Sequence, residues 1–394
     1  MPTRFGMSRK NYYNMKQYRF FLPIITLGLF MVSCKRENKY IESINMPVDT
    51  ISVILKHKIE EYPFSSKFAL SKILPLEATS DCRISDVYRV FPVGNCYIIW
   101  DKEAESVFAF NTDGKYLGKI GNRGHSDKEY IRLKDVTVCG DTIFLLDNGG
   151  HKILSYNPDG TFIQNNQIKE WAMGFAIDNN QIWLESNGQN KESKLLLQTD
   201  KSSGKILHSY FDMLNDGRLP IREEKTFSYS NDNSILFSSP YLQYIYIIAK
   251  GELQPIYKIS FPEGSIYDYD ITSDKYVSQV LGNNYIGDIH DVFKIGAHLF
   301  FSFYCYDGDI IECYNVYYNS ETKQTDIFDY TMLHDNRLPV SPIPVIKGIT
   351  NDEIIFSIDP SILPESMFDE IQKNKIFENC TNESNPILVF YKVN

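Results

Sequence analysis

Two consecutive segments of the chain repeat one pattern at a fixed distance, and this repeat constrains the fold more than any other feature. In each segment a short apolar run ends in an aspartate, Asp101 in the first and Asp147 in the second, 46 residues apart. A second apolar run then leads to an Asp-Gly turn, at 113–114 and at 159–160, again 46 residues apart. Asp-Gly supplies the positive φ angles that a tight hairpin needs. The pattern therefore predicts strands joined by hairpins.

A repeat in the forties with four strands per unit is typical of a β-propeller blade. Four weaker copies follow the two clear ones, with apolar runs within 175–197, 235–248, 291–318 and 346–391. An irregular β-sandwich would not explain the identical offset of the two landmarks. The sequence therefore predicts an all-β fold, a six-bladed β-propeller made of four-stranded antiparallel blades.

Closure of such a ring requires the two ends of the chain to meet, because an open blade would expose a sheet edge. The sixth copy ends at Val393, one strand short of a full blade. Residues 51–55 or 67–74 could supply the missing strand from the N-terminal side. We therefore expect one closed propeller over residues 51–394.

Two segments interrupt the β pattern and are predicted to be short helices inserted in loops. Segment 273–281 has Ser273 as a plausible N-cap, and segment 365–377 follows Pro364 and has apolar residues at helical spacing. Such inserts could form a lid or contact a partner, and more often they cover a sheet edge.

The N-terminus carries an export signal. Residues 1–33 contain five basic and no acidic residues, and their apolar run is too short for a membrane span of about 20 residues. The run ends at Ser33-Cys34, which is similar to a bacterial lipobox. This resemblance implies cleavage before Cys34 and diacylglycerol on its sulfur, a lipid anchor in the membrane. We expect a signal peptide over 1–33 and a tether over 34–50.

Two details of this leader bear on its start and its destination. Met15 begins an equally ordinary leader, so translation could start at Met1 or at Met15. Lys35 follows the cysteine, whereas an aspartate there is the usual signal for retention in the inner membrane of lipoproteins. The resemblance therefore favours the outer membrane, and whether the protein faces the periplasm or the cell surface stays open.

The charge of the chain argues against one class of partner. The full chain has a net charge of −10, and removal of the five basic residues of the leader leaves −15. An acidic surface is repelled by phosphate backbones. We therefore expect no nucleic-acid partner, and instead an unknown protein, peptide or glycan ligand.

The cysteines after Cys34 show no spacing typical of a metal site. Cys305 and Cys313 flank a predicted hairpin turn at 307–309 and could face each other across it. Separate core thiols are the favoured alternative to this disulfide. No cofactor or metal is assigned from the sequence.

The segment around the first Asp-Gly turn resembles a known family. Residues 113–121 read Asp-Gly-Lys-Tyr-Leu-Gly-Lys-Ile-Gly, and 121–130 continue as Gly-Asn-Arg-Gly-His-Ser-Asp-Lys-Glu-Tyr. They resemble the outer strand and inter-blade linker of the six-bladed β-propeller lipoproteins of Bacteroidota, which are related to NHL-repeat propellers. That linker usually ends in Gly-Pro-Gly-Glu-Phe, where this chain has 127–130. The strong match covers residues 84–165. The resemblance implies a fold and a cellular location, and it implies no ligand or reaction.

The linker is also the loop richest in functional groups. Arg123, His125, Asp127 and Lys128 could bind an anion or a sugar, since inter-blade linkers often run toward the channel mouth, and His125 with Asp127 could do acid–base work. The alternative, a solvated loop whose charges pair locally, is favoured by its composition. We keep the four residues as candidate ligand-binding residues.

Two hypotheses for function remain. The first is a lipid-anchored, non-catalytic binding or scaffold module, and the second is a glycan lyase or hydrolase that uses the propeller channel. No nucleophile elbow, Walker loop, HExxH or EF-hand pattern is present. Catalysis on a propeller needs polar residues that converge from several blades, and no His, Arg or carboxylate recurs at one blade position. The sequence therefore favours binding and assigns no catalytic residue.

Overall fold

The computed structural model describes residues 48–60, 62–214, 225–280, 283–308, 310–329 and 335–394. The leader, Cys34 and most of the expected tether lie outside the described residues. In chain order the strands are β1 (Asp49–Ser52), β2 (Phe68–Pro75), β3 (Arg89–Val93), β4 (Cys96–Asp101), β5 (Ser106–Asn111), β6 (Tyr116–Lys119), β7 (Leu133–Cys139), β8 (Thr142–Asp147), β9 (Lys152–Tyr156), β10 (Phe162–Gln167), β11 (Gly174–Asp178), β12 (Gln181–Glu185), β13 (Lys194–Asp200), β14 (Ile206–Asp212), β15 (Phe227–Tyr229), β16 (Ile235–Phe237), β17 (Tyr244–Ala249), β18 (Glu252–Ser260), β19 (Tyr285–Ile295), β20 (His298–Asp307), β21 (Ile310–Asn319), β22 (Gln324–Asp329), β23 (Ile343–Ile349), β24 (Glu353–Ile358) and β25 (Ile387–Val393).

These strands form the predicted six-bladed β-propeller. Blades 1 to 5 are β3–β6, β7–β10, β11–β14, β15–β18 and β19–β22, each a four-stranded antiparallel meander. Blade 6 consists of β23, β24 and β25 with β2 as its outermost strand. The first strand of every blade contacts the first strand of the next, and β23 contacts β3, so the inner strands close a ring.

The ring is closed by an N-terminal strand, as predicted. Of the two candidate segments, the one near 67–74 does this: β2 pairs antiparallel with β25, from Phe68 opposite Val393 to Pro75 opposite Ile387. The other candidate, near 51–55, has a different place. Its strand β1 begins at Asp49 and pairs parallel with β18, as a fifth strand on blade 4.

The aspartates of the repeat tie each blade to the preceding linker. Both Asp101 and Asp147 are fully buried at the ends of β4 and β8. The Asp147 carboxylate accepts hydrogen bonds from the backbone N–H groups of Ile131 and Arg132, at 3.0 and 2.9 Å. Burial raises the pKa of Asp101, against its backbone hydrogen bonds, which lower it. The repeated Asp therefore has a structural role.

Both predicted helical inserts are present, with shorter helices than expected. They are α2 (Tyr276–Val280) and α3 (Phe368–Ile371), and a third helix, α1 (Phe64–Lys67), precedes β2. The insert containing α3 also has 3₁₀ turns at Glu365–Met367 and Lys375–Phe377. The buried side chains of α2 and α3 pack into the hydrophobic core, so these helices cover blades rather than stand free.

The register of blade 5 decides the question of the disulfide. Cys305 lies opposite Glu312, and Cys313 lies opposite Tyr304. Because side chains alternate between the faces of a strand, the two cysteines point to opposite faces of the sheet. They therefore form no disulfide and are separate thiols, each of them partly buried rather than in the core.

Candidate functional site

The candidate loop 121–130 is held in place by its own hydrogen bonds. The N–H of Gly124 donates to the carbonyl of Tyr130 at 2.9 Å, and the N–H of Ser126 donates to the carboxylate of Glu129 at 3.0 Å. A side chain on Gly124 would overlap that carboxylate, and Tyr130 is fully buried. Glu129 and Tyr130, the last two residues of the linker, therefore hold its backbone in place.

The loop lies over the outer strands of blade 2. The amide of Asn165 on β10 donates to the carbonyl of Asp127 at 2.8 Å, and the hydroxyl of Tyr156 on β9 donates to the carbonyl of Lys128. The linker enters β7 at Leu133, at the opposite end of that strand from Cys139. It therefore lies at the face of the ring opposite the hairpin turns of the inner strands.

The four predicted ligand-binding side chains, Arg123, His125, Asp127 and Lys128, are all exposed on that face. The structure brings them together as one charged loop, away from the axial cavity described below. Their part in ligand binding stays a prediction.

A cavity lined by all six blades forms a funnel on the axis of the ring. Its volume is about 920 Å³, and it opens between the turns that join the first and second strands of the blades. Residues from all six blades line it, among them Pro92, Val138, Asp178, Tyr229 and Lys347. Ligand pockets in proteins commonly enclose ~300–1,000 Å³. The funnel therefore has the size and the position of a ligand site.

The inner strands of the first and last blades, β3 and β23, meet at the inner end of the funnel, which we call its neck. At this neck Gly348 of β23 lies against β3: a Cβ atom on Gly348 would stand 2.1 Å from the carbonyl oxygen of Val90. Beyond the neck a second cavity of only about 20 Å³ follows. Because Arg89 lines both cavities, its side chain lies at the boundary between them.

Charged side chains from five blades converge at this neck. Arg89 pairs with Asp135 at 3.7 Å, and its guanidinium donates to the carbonyl of Phe227 at 2.8 Å. Lys225 pairs with Asp291 at 3.5 Å, its ammonium group 5.0 Å from the centre of the Tyr88 ring. The third cation is Lys347, which pairs with Asp86 at 3.6 Å. We refer to Arg89, Lys225, Lys347, Asp135 and Asp291 as the neck cluster.

Burial and mutual charge both act on the neck cluster. The pKa of Lys225 is lowered to about 8, mainly by burial. Asp291 favours the charged ammonium and opposes this shift, whereas Lys347 and Arg89 add to it. Burial raises the pKa of Asp135 despite the nearby guanidinium. For Asp291 burial is outweighed by the surrounding cations, so its pKa is lowered.

The backbone that carries Asp291 is strained. Two register shifts interrupt β19, before and after His290, and both Asp288 and Asp291 have positive φ angles, of 56° and 51°. Such bulges re-aim side chains and concentrate next to functional sites. Here the second bulge directs a carboxylate toward Lys225.

The outer part of the funnel carries the opposite charge. The charged residues lining it near the hairpin turns are Asp141, Asp178, Asp232, Lys250, Asp352 and Glu353. Five carboxylates and one lysine give this rim a negative excess, whereas the lining charges at the neck are the cations of Arg89 and Lys347. The funnel is therefore polarised along its axis.

The neck cluster was missed by sequence reasoning that looked for one residue type repeated at one blade position. Arg89 and Asp135 do occupy equivalent positions, 46 residues apart, but with opposite charge. A charge reversal between the first strands of two successive blades, at the period of the repeat, was the available signal. The positions of Lys225, Asp291 and Lys347 follow only from the closed ring.

Metal-binding clusters and membrane-spanning helices are both absent from the described residues. Within the described ranges, no group of three or more His, Cys, Asp or Glu side chains is arranged to hold a metal ion. No helix in that part of the chain is long and apolar enough to cross a membrane.

Comparison with solved structures agrees with the fold. A Bacteroides fragilis protein whose name describes it as exported is 18% identical, with a TM-score of 0.71 over 88% of this chain and 99% of that chain. A DUF4221 family member from Bacteroides vulgatus is 10% identical (TM-score 0.46, 83% of this chain and 98% of that chain), and virginiamycin B lyase from Staphylococcus aureus is 13% identical (TM-score 0.43, 83% and 100%). At these identities the likeness shows the fold alone, and the last two scores support no functional argument.

Among curated proteins, none matches the chain. The sequence matches the family model of DUF4934, a domain of unknown function, over residues 48–392, which is most of the chain. This span contains every strand of the six blades but for the last residue of β25. The chain therefore belongs to the DUF4934 family.

Proposed function

We propose that this protein is a lipid-anchored binding module of the cell envelope, and that its ligand enters the funnel on the propeller axis. The observation that carries the proposal is the funnel itself, about 920 Å³ in volume and lined by all six blades. A rigid ring that presents side chains from six directions is suited to recognise a ligand without moving.

The anchor is supported by the leader and by Ser33-Cys34. The Bacteroides fragilis protein with the same fold carries a name that describes export, which is consistent with an envelope location. Lys35 after the lipidated cysteine favours the outer membrane. Two or more acyl chains on one protein give stable membrane attachment.

Replacement of the anchor residue tests this part of the proposal. The Cys34→Ala variant, expressed in a bacterium with lipoprotein processing, is expected to lose radiolabelled palmitate incorporation and to accumulate as an unprocessed precursor. The change removes the only sulfur at the cleavage site, so neither acylation nor cleavage can follow. Cys96→Ala is the matched control and should label normally. Normal labelling of the Cys34 variant would contradict the anchor.

A second test addresses the ligand site. Purified protein is screened against a glycan array and a peptide library, and each hit is measured again with two tryptophan variants. Pro92→Trp places a large ring in the funnel, where Pro92 is exposed, and is expected to weaken binding at least ~10-fold, about 1.4 kcal/mol. Lys128→Trp adds the same ring on the opposite face and should leave binding unchanged.

The reverse outcome would move the site. If Lys128→Trp and the double variant Arg123→Ala/Lys128→Ala weaken binding while Pro92→Trp does not, the ligand meets the linker loop instead. One set of measurements therefore distinguishes binding in the funnel from binding at the linker loop.

One specific observation favours the alternative that the protein is an enzyme: Asp291, on strained backbone, lies beside the buried Lys225. Turnover of a defined glycan by the purified protein, lost on Asp291→Asn, would identify the neck as a catalytic site. Binding of a ligand without turnover would support the non-catalytic binding module.

A further inference from the structure

The neck cluster holds more positive than negative charge. The side chains of its three cations are nearly buried, with exposures of 7% for Arg89, 3% for Lys225 and 9% for Lys347. Its two carboxylates, Asp135 and Asp291, are 7% and 18% exposed. The remaining partner, Asp86, is 48% exposed, so water screens its charge. The buried group therefore has one cation in excess.

The ion pairs at the neck are also long. Their nitrogen–oxygen distances are 3.7, 3.5 and 3.6 Å, whereas charge-assisted hydrogen bonds are typically about 2.7–2.9 Å. Elsewhere in the chain the pairs Arg337–Asp335 and Lys194–Asp212 measure 2.7 and 2.6 Å. The ammonium group of Lys347 lies 3.6 Å from the carboxylate of Asp86, beyond the usual hydrogen-bond distance. The cations thus keep N–H donors for a further acceptor.

Two of these cations belong to residues that line the funnel. Arg89 and Lys347 both line it, one from β3 and the other from β23, on the two inner strands that meet at the ring closure. An arginine guanidinium binds a carboxylate through two parallel N–H donors, and an adjacent ammonium adds a point charge. The bottom of the funnel thus has the donors that one carboxylate needs.

The rim selects among carboxylate ligands. With five carboxylates and one lysine, it repels a polyanion such as a chain of uronic acids and attracts a cationic group. A ligand that is anionic at its inner end and cationic or neutral behind that end is complementary to the whole funnel. A peptide entering by its C-terminus, with basic residues before it, has this charge order.

We propose that the funnel binds the C-terminal end of a basic peptide segment, with the terminal carboxylate held by Arg89 and Lys347. This inference rests on the proposed function, because it names the ligand class of the same funnel. Lys225, behind the two, supplies positive potential without contacting the ligand.

The test uses a pair of peptide libraries and the full mature protein. Both are fluorescent hexapeptides rich in lysine and arginine, identical except that one ends in a free carboxylate and the other in an amide. The free acids are expected to bind at least ~10-fold more tightly than the amides, about 1.4 kcal/mol. In Lys347→Met this preference should disappear, and in Lys347→Arg, which keeps the charge, it should be largely retained.

The control variant is Lys169→Met, an exposed lysine in the linker between β10 and β11 on the opposite face, which should keep the full preference. Thermal unfolding of each variant checks that it is folded. If Lys347→Met is not folded, the test relies on Lys347→Arg. Equal binding of acids and amides by the unmodified protein would overturn the proposal, as would an acid preference that survives in folded Lys347→Met.

Failure of this inference can be told from failure of the proposed function. If no peptide binds, but an oligosaccharide containing uronic acid binds and is blocked by Pro92→Trp, the funnel is a ligand site and the peptide proposal is wrong. If neither ligand is affected by Pro92→Trp, the funnel itself is refuted as the site.

Discussion

Truncation of the chain after Asn385 is expected to abolish the folded state. The change removes β25, which lies between β2 and β24 and carries four fully buried side chains, Leu388 to Tyr391. Burial of each large apolar side chain contributes about 1.5–3 kcal/mol, so their loss is comparable with the whole stability of a typical domain, about 5–15 kcal/mol. Circular dichroism should show no cooperative thermal transition.

The same truncation also opens the ring, since β2 loses its only partner in blade 6. Removal of Asn394 alone is the control and should leave a cooperative transition. It deletes two hydrogen bonds, from the N–H of Asn394 to the carbonyl of Lys67 at 2.9 Å and from its side-chain amide to the carbonyl of Ser66 at 3.1 Å. A shortened chain ending at Asn385 that still unfolds cooperatively near the original temperature would show that the sixth blade is dispensable.

A single methyl group at the neck is expected to have the second-largest effect. In Gly348→Ala the new Cβ would meet the backbone carbonyl of Val90 at 2.1 Å, and no rotation of a side chain can relieve that overlap. The inner strands of the first and last blades would have to move apart. Because overpacking of this kind costs ~1–3 kcal/mol and sometimes more, we expect a loss of about 3 kcal/mol in the free energy of unfolding by urea.

Gly94→Ala provides a matched control in the hairpin turn between β3 and β4. Gly94 has a φ of 53° and nothing within 4 Å of an added Cβ, so only backbone strain, about 1–2 kcal/mol, is expected. If Gly348→Ala were no more costly than Gly94→Ala, the close contact between β23 and β3 would have no energetic importance.

The fold was predictable because its signals are local and repeated. Asp101 and Asp147 mark the ends of second strands, and each Asp-Gly turn marks a hairpin, so the offset of 46 residues gives the blade. The closing strand was predictable only as one of two candidates. Which of them joined β25 depended on pairing over more than 300 residues of sequence separation, from Phe68 to Val393, which no local pattern records.

The site was predicted less well than the fold. The linker loop stood out because Arg123, His125, Asp127 and Lys128 are adjacent in the sequence, although adjacency does not tell which face of a ring a loop occupies. Its contacts with Asn165 and Tyr156 place it over outer strands, away from the funnel.

The sequence by itself determined the class of fold and the number of blades, since strand alternation and turn residues are properties of neighbouring residues. The export signal read from the apolar leader stays a prediction. Only the tertiary structure decided where the charges meet. Arg89, Lys225 and Lys347 are separated by more than 100 residues each and come together because six inner strands share one axis. Their burial in that shared neck, and not their type or spacing, makes them a candidate site.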